Sequence, residues 1–236
     1  MKIIGIIPAR MESSRLPGKP LIDIGGKSMI KRVYESVLNS KLFNKVIVAT
    51  PNKEIYDHVK EFGKVIMTSN NPLNGTERVF EAYKKLDSEY DFIVNIQGDE
   101  PFIKKEQLSD IISICRKPNQ ICTLIKKEKY SKDLERESIM KVVINNKNEA
   151  MYFSRSLIPY QYKKKNYFKH ICIYAYDPIT LKKIISLPPS SLEISESLEQ
   201  LRWLENEFKI KVKITNSDSF SIDTKEDLIL AENYLN

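Results

Sequence analysis

Short apolar runs alternate along the first half of the chain with longer segments whose apolar residues recur at helical spacing. The runs are residues 3–7, 45–50 (KVIVAT), 65–67 and 91–96 (DFIVNI). Unbroken apolar runs of this length predict strands buried on both faces, as in a parallel sheet. Between them, Ser28 is placed to cap a helix reaching about residue 40, with Met29, Ile30, Val33 and Val37 on one side. Pro51 and Asn52 open a second helix that passes through Ile55 and Val59 and stops at Gly63, and a third covers residues 76–86. Strand and helix in alternation, with short connections, predict an α/β fold with a doubly wound, mostly parallel sheet.

The pattern changes further on. A helix over 104–116 and a strand over 121–125 continue the alternation. Residues 141–144, 151–153 and 168–176 then read as strands with no crossover helix between the first two. That predicts a small antiparallel or mixed lobe within residues 126–176, inside a single domain of residues 1–236. Asp177 caps a helix reaching 187, residues 191–208 form a longer helix, 211–214 a strand, and Thr224 caps the last helix.

Composition adds limits. A chain of 236 residues with 42% hydrophobic and 29% charged residues is ordinary for a globular enzyme with one substantial core. Its net charge of +7 suits an acidic small molecule, RNA or an anionic membrane equally. The excess is lysine spread along the chain, and the KKK at 163–165 reads as a solvated loop. Cys115, Cys122 and Cys172 lack metal or disulfide spacing and read as reduced thiols. No apolar run reaches about 18 residues and no signal-peptide pattern is present, so a cytoplasmic protein without membrane insertion is expected.

The densest chemistry lies directly after the first strand. Arg10, Arg15 and Lys19 stand on a loop stiffened by Pro17 and Pro20 and opened by Gly18. Cations at the C-terminal edge of an α/β sheet suit a polyanion, and Arg forks match phosphate oxygens. The loop is neither a Walker A motif nor a GxGxxG fingerprint, and a solvated basic loop is the competing interpretation. Asp99 and Glu100 follow the 91–96 strand, at the same edge if that strand is parallel to the first. Asp223 follows another short apolar stretch. Such acids are commonly turn or capping residues, but two of them beside a phosphate loop can hold Mg²⁺ together with substrate phosphates. His170 and Tyr174, four apart on a strand, share a face. A lone strand histidine is usually structural; this pair could also grip a polyhydroxylated acid. His58 sits among charged neighbours on a helix and is discounted. Glu196 and Glu199 fall on one side of the 191–208 helix, where a solvated acidic face is the simpler interpretation.

Taken together, the segments IPARMESSRLPGKPL (8–21), NGTER (74–78), VNIQGDEP (94–101), YFSRSLIP (152–159), KHICIY (169–174), SLEQLR (197–202) and IDTKEDL (222–228) resemble the 3-deoxy-manno-octulosonate (Kdo) cytidylyltransferases, in register over nearly the whole chain. The resemblance implies a nucleotide-diphospho-sugar transferase-like fold, a homodimer, Mg²⁺, and the reaction CTP + Kdo → CMP-Kdo + pyrophosphate for lipopolysaccharide biosynthesis. Carried over by position, it implies that Pro8, Ala9, Arg10, Ser14, Arg15, Lys19, Arg78 and Gln97 bind nucleotide. Gln97, Arg155, His170, Tyr174, Glu199 and Gln200 would bind the sugar acid. Asp99 and Asp223 would hold metal, and Lys19, Asp99 and Asp223 would be catalytic. The chain departs from the family pattern at Ala175 and Ser221, where glycine is common, and at Lys225, where proline is common. Its connection from Pro159 to His170 is also shorter. The alternatives are CMP activation of a related acid, such as 8-amino-Kdo or a nonulosonate, a sugar-1-phosphate nucleotidyltransferase, and a non-catalytic basic nucleic-acid-binding protein. The last is opposed by the absence of RNP, KH or helix-turn-helix patterns.

Overall fold

The computed structural model describes residues 1–13, 16–116, 119–160, 162 and 166–235. Ser14, Arg15 and the run 163–165 therefore lie outside the described residues. The chain forms two compact units, Met1–Ser109 with Asp218–Asn236, and Asp110–Ser217. The predicted lobe, residues 126–176, lies inside the second.

In the first unit, strands β1 (Ile3–Pro8), β2 (Lys45–Thr50), β3 (Val65–Met67) and β4 (Phe92–Ile96) make a parallel sheet in the order β3-β2-β1-β4. Ile6 lies level with Ile47 on one side and Asn95 on the other. The central strands are almost wholly buried, as their unbroken apolar runs require. Helices α1 (Met29–Asn39), α2 (Lys53–Lys60) and α3 (Gly75–Lys84) occupy the connections. Ser28 caps α1 by accepting from the Lys31 N–H, and its Oγ is also 2.7 Å from His58 Nε2. The discounted histidine thus has a structural task. Helix α4 (Lys105–Ile114) runs into the second unit. The closing helix, Lys225–Leu235, begins where Thr224 Oγ1 accepts from the Asp227 N–H. Tyr234 of this helix packs with Phe102 and Phe220 as an aromatic trio.

In the second unit, β5 (Ile121–Glu128) pairs antiparallel with β8 (Tyr167–Tyr176) and parallel with β9 (Ile210–Thr215). Strands β6 (Lys141–Ile144) and β7 (Ala150–Ser154) form the expected antiparallel pair. The α/β class holds, parallel in the first unit and mixed in the second. Asp177 caps α5 (Pro178–Ile185), accepting from the N–H groups of Ile179 and Thr180.

The expected continuous helix over 191–208 is not observed. It divides into α6 (Ser191–Glu196) and α7 (Glu199–Glu205), with Ser197 left-handed at φ 52°. Arg155 accounts for the break: its Nε and Nη2 take the carbonyls of Glu196 and Ser197, which a continuous helix would have used internally. Glu196 and Glu199 are consequently not on one helical face. The Glu196 carboxylate instead accepts from Ser154 Oγ and the Arg155 N–H. No helix of the described residues is long and apolar enough to cross a membrane.

Candidate active site

The first unit carries an open cleft of about 340 Å³ at the C-terminal ends of β1 and β4. Pro8 ends β1, and the Ala9 N–H is tied to the Ala49 carbonyl. Beyond it the chain is held by Asn52, whose Oδ1 accepts from the Met11 N–H while its Nδ2 donates to Glu12. Its own backbone N–H, and next the Asn52 amide, hold the Glu12 carboxyl below its ordinary range. Gly18 adopts the left-handed φ of 69° that leads into the 3-10 turn Lys19–Leu21. That turn directs a buried Lys19 side chain into the cleft.

Lys19 Nζ lies 2.6 Å from Asp99 Oδ2 and 2.8 Å from Asp223 Oδ1. Burial works against its charge, but Asp99 and then Asp223 outweigh that cost and raise its pKa. The two acids come from distant parts of the chain. Asp99 follows β4 after Gln97 and Gly98, whereas Asp223 precedes the closing helix. The Ile222 N–H donates to the Asp99 carbonyl at 3.0 Å, and the Asp223 N–H donates to Asp227. At Gly98 a Cβ would sit 2.8 Å from the Pro8 carbonyl oxygen, so only glycine allows the end of β4 to lie this close to the basic loop.

The cleft therefore gathers Pro8, Ala9, Arg10, Lys19, Gln97, Asp99 and Asp223 of the residues singled out from sequence. Ser14 and Arg15 are outside the described residues. Arg78 also borders the cleft, but its guanidinium is turned inward. It donates to Thr68 Oγ1 at 2.7 Å and to the carbonyls of Ser69 and Pro72. Burial, followed by Arg10, lowers its pKa. Sequence reading missed Glu12, Ser13, Asn74, Gly75 and Gly98 in the lining. The N-x-x-E spacing of Asn74 and Glu77 could have exposed one of them, because Asn74 caps α3 by accepting from the Glu77 N–H. Glu100, next to Asp99, points instead to Ser219.

The second unit assembles the other set. His170 is buried, and its Nε2 lies 2.9 Å from Thr123 Oγ1. The single Thr123 hydroxyl proton goes to the carbonyl of Ile173 or Ile171, so Nε2 must donate and the proton is assigned there. Burial depresses the His170 pKa to about 3, leaving a neutral ring. Tyr174 packs 5.4 Å from it, so the pair shares a face as expected. Burial pushes the Tyr174 phenol well up. Tyr174 Oη and Gln200 Nε2 are buried without a hydrogen-bond partner among the described residues. Glu199 begins α7 and is half-buried. Arg155 spends its guanidinium on the carbonyls of Glu137, Glu196 and Ser197. Lys141 Nζ in turn holds the Arg155 carbonyl.

A family model described as Cytidylyltransferase matches residues 4–213. The 3-deoxy-manno-octulosonate cytidylyltransferase of Parabacteroides distasonis is 51% identical over 242 residues, covering 97% of this chain and 96% of its own. The chain belongs to the 3-deoxy-manno-octulosonate cytidylyltransferase family. The family member from Fusobacterium nucleatum is 45% identical, covering 100% of this chain and 97% of its own. Among solved structures, CMP:2-keto-3-deoxy-manno-octonic acid synthetase complexed with CTP superposes with a TM-score of 0.91 at 37% identity, covering 100% of this chain and 98% of that one. A cytidylyltransferase is a nucleotidyltransferase, and the cleft sets Arg10 and Lys19 beside the carboxylates of Glu12, Asp99 and Asp223.

Proposed function

We propose that this protein transfers the cytidylyl group of CTP to 3-deoxy-manno-octulosonate, giving CMP-Kdo and pyrophosphate. The observation that carries the reading is the Lys19–Asp99–Asp223 cluster in a cleft bordered by Arg10, in a chain of this family. The anomeric oxygen of the acid forms a bond to the α-phosphorus as the bond from that phosphorus to the pyrophosphate oxygen breaks; the hydroxyl proton passes to solvent. Such a transfer needs little covalent work from the protein and depends on positioning and charge neutralisation. Arg10 and Lys19 supply cationic charge to the phosphates. The N-terminus of α3, at Asn74 and Gly75, adds N–H dipoles suited to an anion. Arg78 acts by holding residues 68–72 in place.

The donor set fits Mg²⁺. Two carboxylates that already converge on one cationic centre are the oxygen donors a hard cation takes alongside substrate phosphates. Asp99 and Asp223 would hold the ion, which when bound neutralises phosphate charge and lowers the pKa of a coordinated hydroxyl. The sugar acid is assigned to the second unit's His170, Tyr174, Glu199 and Gln200; the unpartnered Tyr174 Oη and Gln200 Nε2 support this, being buried polar atoms in want of a ligand. We further propose a cytoplasmic homodimer whose product supplies lipopolysaccharide.

The test is pyrophosphate release from CTP, with and without Mg²⁺, against Kdo, 8-amino-Kdo and a nine-carbon sialic acid. Mg²⁺-dependent turnover with Kdo as the best acceptor is expected. Turnover of the nine-carbon acid alone would overturn the assignment.

A further inference from the structure

Segment 216–223, which ends in Asp223, has neither helix nor strand to hold it. Yet Asp223 must stand at a defined distance from Asp99, 124 positions earlier by their numbers. What ties the segment down is a line of buried side chains. Gln107 Nε2 donates to Ser219 Oγ at 2.9 Å, and Ser219 Oγ donates to Glu100 Oε2 at 2.7 Å. Gln107 is fixed at its other end, where Oε1 accepts from the Lys104 N–H at 2.9 Å. An amide nitrogen can only donate, so the single Ser219 proton is committed to Glu100 and the line has one direction. All three side chains belong to residues at most 8% exposed.

We propose that Glu100 is a positioning residue for nucleotidyl transfer: through Ser219 and Gln107 it sets the separation of the Asp99 and Asp223 carboxylates. The proposal rests on the function argued above. Glu100 is the residue next to Asp99, and Ser219 lies four before Asp223, so the line crosses between the two segments directly behind the reacting cluster. Beside it the Ile222 N–H meets the Asp99 carbonyl. Phe102 and Phe220 also pack between these segments, with ring centroids 4.9 Å apart. Apolar contacts tolerate sliding, whereas a hydrogen bond to a carboxylate is short and directional. Glu100 therefore supplies registration that the aromatic contact lacks, and small misplacements at such a centre are expensive in rate.

The experiment compares wild type with Glu100→Ala, Glu100→Gln and Ser219→Ala. It measures kcat, the KM for CTP, the melting temperature, and Mn²⁺ affinity in the CTP complex by electron paramagnetic resonance. In Glu100→Ala and Ser219→Ala, kcat should fall roughly 10- to 100-fold and Mn²⁺ should bind more weakly, with the CTP KM changed by less than about 3-fold. Glu100→Gln keeps an oxygen that accepts from Ser219 and should recover most of both losses. A folded Glu100→Ala with wild-type kcat and Mn²⁺ affinity overturns the proposal, as does a Glu100→Gln no better than Glu100→Ala. If Glu100→Ala does not fold, Ser219→Ala decides alone on the same criteria. If wild type does not turn over CTP with the acid, the function above fails, while Mn²⁺ affinity in the CTP complex still supports or overturns the role of Glu100.

Discussion

The Lys19 ammonium lies 2.6 Å from the Asp99 carboxylate across eighty residues of sequence, and the same nitrogen reaches Asp223. One cation thus marks the point where the basic loop and the two candidate metal-binding acids meet. Replacing Asp99 by Asn keeps the shape and removes one negative charge from that point. Turnover should fall about 10²-fold or more, with circular dichroism and melting temperature close to wild type. Near-normal activity at saturating Mg²⁺ would remove Asp99 from the role.

Lys19 itself links the cluster to stability. Burial disfavours its charge, but Asp99 and Asp223 more than offset this, so its folded-state pKa stands above the ordinary 10.5. A raised pKa stabilises the fold fully below the unfolded value and is lost as pH rises through the folded one. The melting temperature of wild type relative to Lys19→Met should therefore decline as pH climbs beyond about 10.5. A difference that stays constant across that window would contradict the ion-pair account.

His170 works in the opposite sense. Its pKa is depressed to about 3 by burial, so the folded ring stays neutral while the unfolded ring takes a proton below its ordinary 6.5. Its contribution is complete above pH 6.5 and is lost as pH falls toward 3. Wild type should lose stability over that window more steeply than His170→Gln. Parallel pH–stability curves would show that the ring is not held neutral.

His170→Ala also tests the sugar assignment. The substitution should raise the KM for the sugar acid, or lower kcat, by roughly 10-fold or more, because a buried polar site discriminates against unpaired groups. CTP affinity by calorimetry should hardly move. A loss confined to CTP binding would transfer His170 to the nucleotide.

Gly98→Ala probes the close approach of the two loops. The added methyl would lie 2.8 Å from the Pro8 carbonyl oxygen, so backbone must shift where Pro8 and Asp99 border the same cleft. A stability loss of about 1–3 kcal/mol is expected in denaturant unfolding, together with a lower kcat. A fully active, fully stable variant would show that the strand ends are not in tight contact.

Much of this protein was legible in its residues. The strands at 45–50, 65–67 and 141–144 and the caps at Ser28 and Asp177 follow from apolar runs and local side-chain chemistry, which act over a few residues. The long helix expected over 191–208 failed because its break is imposed from outside: periodicity is indifferent to Arg155, which withdraws the Glu196 and Ser197 carbonyls from the helix. Arg78 and Arg155 were legible as functional candidates but not in their use. A guanidinium has five donors on a long stem, and nearby backbone carbonyls decide whether it turns inward or toward a ligand.

By itself the sequence determined the α/β alternation, the mixed character of the later strands, the basic loop and the acids that could work with it, because composition and spacing are local properties. Only the tertiary structure decided which acids meet. Asp99 and Glu100 are chemically alike neighbours at the end of one strand, yet Asp99 faces Lys19 and Glu100 faces Ser219. Asp223 reaches the same lysine from 204 residues away. No window of sequence carries that choice, since it is made by the pairing of segments that touch only once the chain has folded.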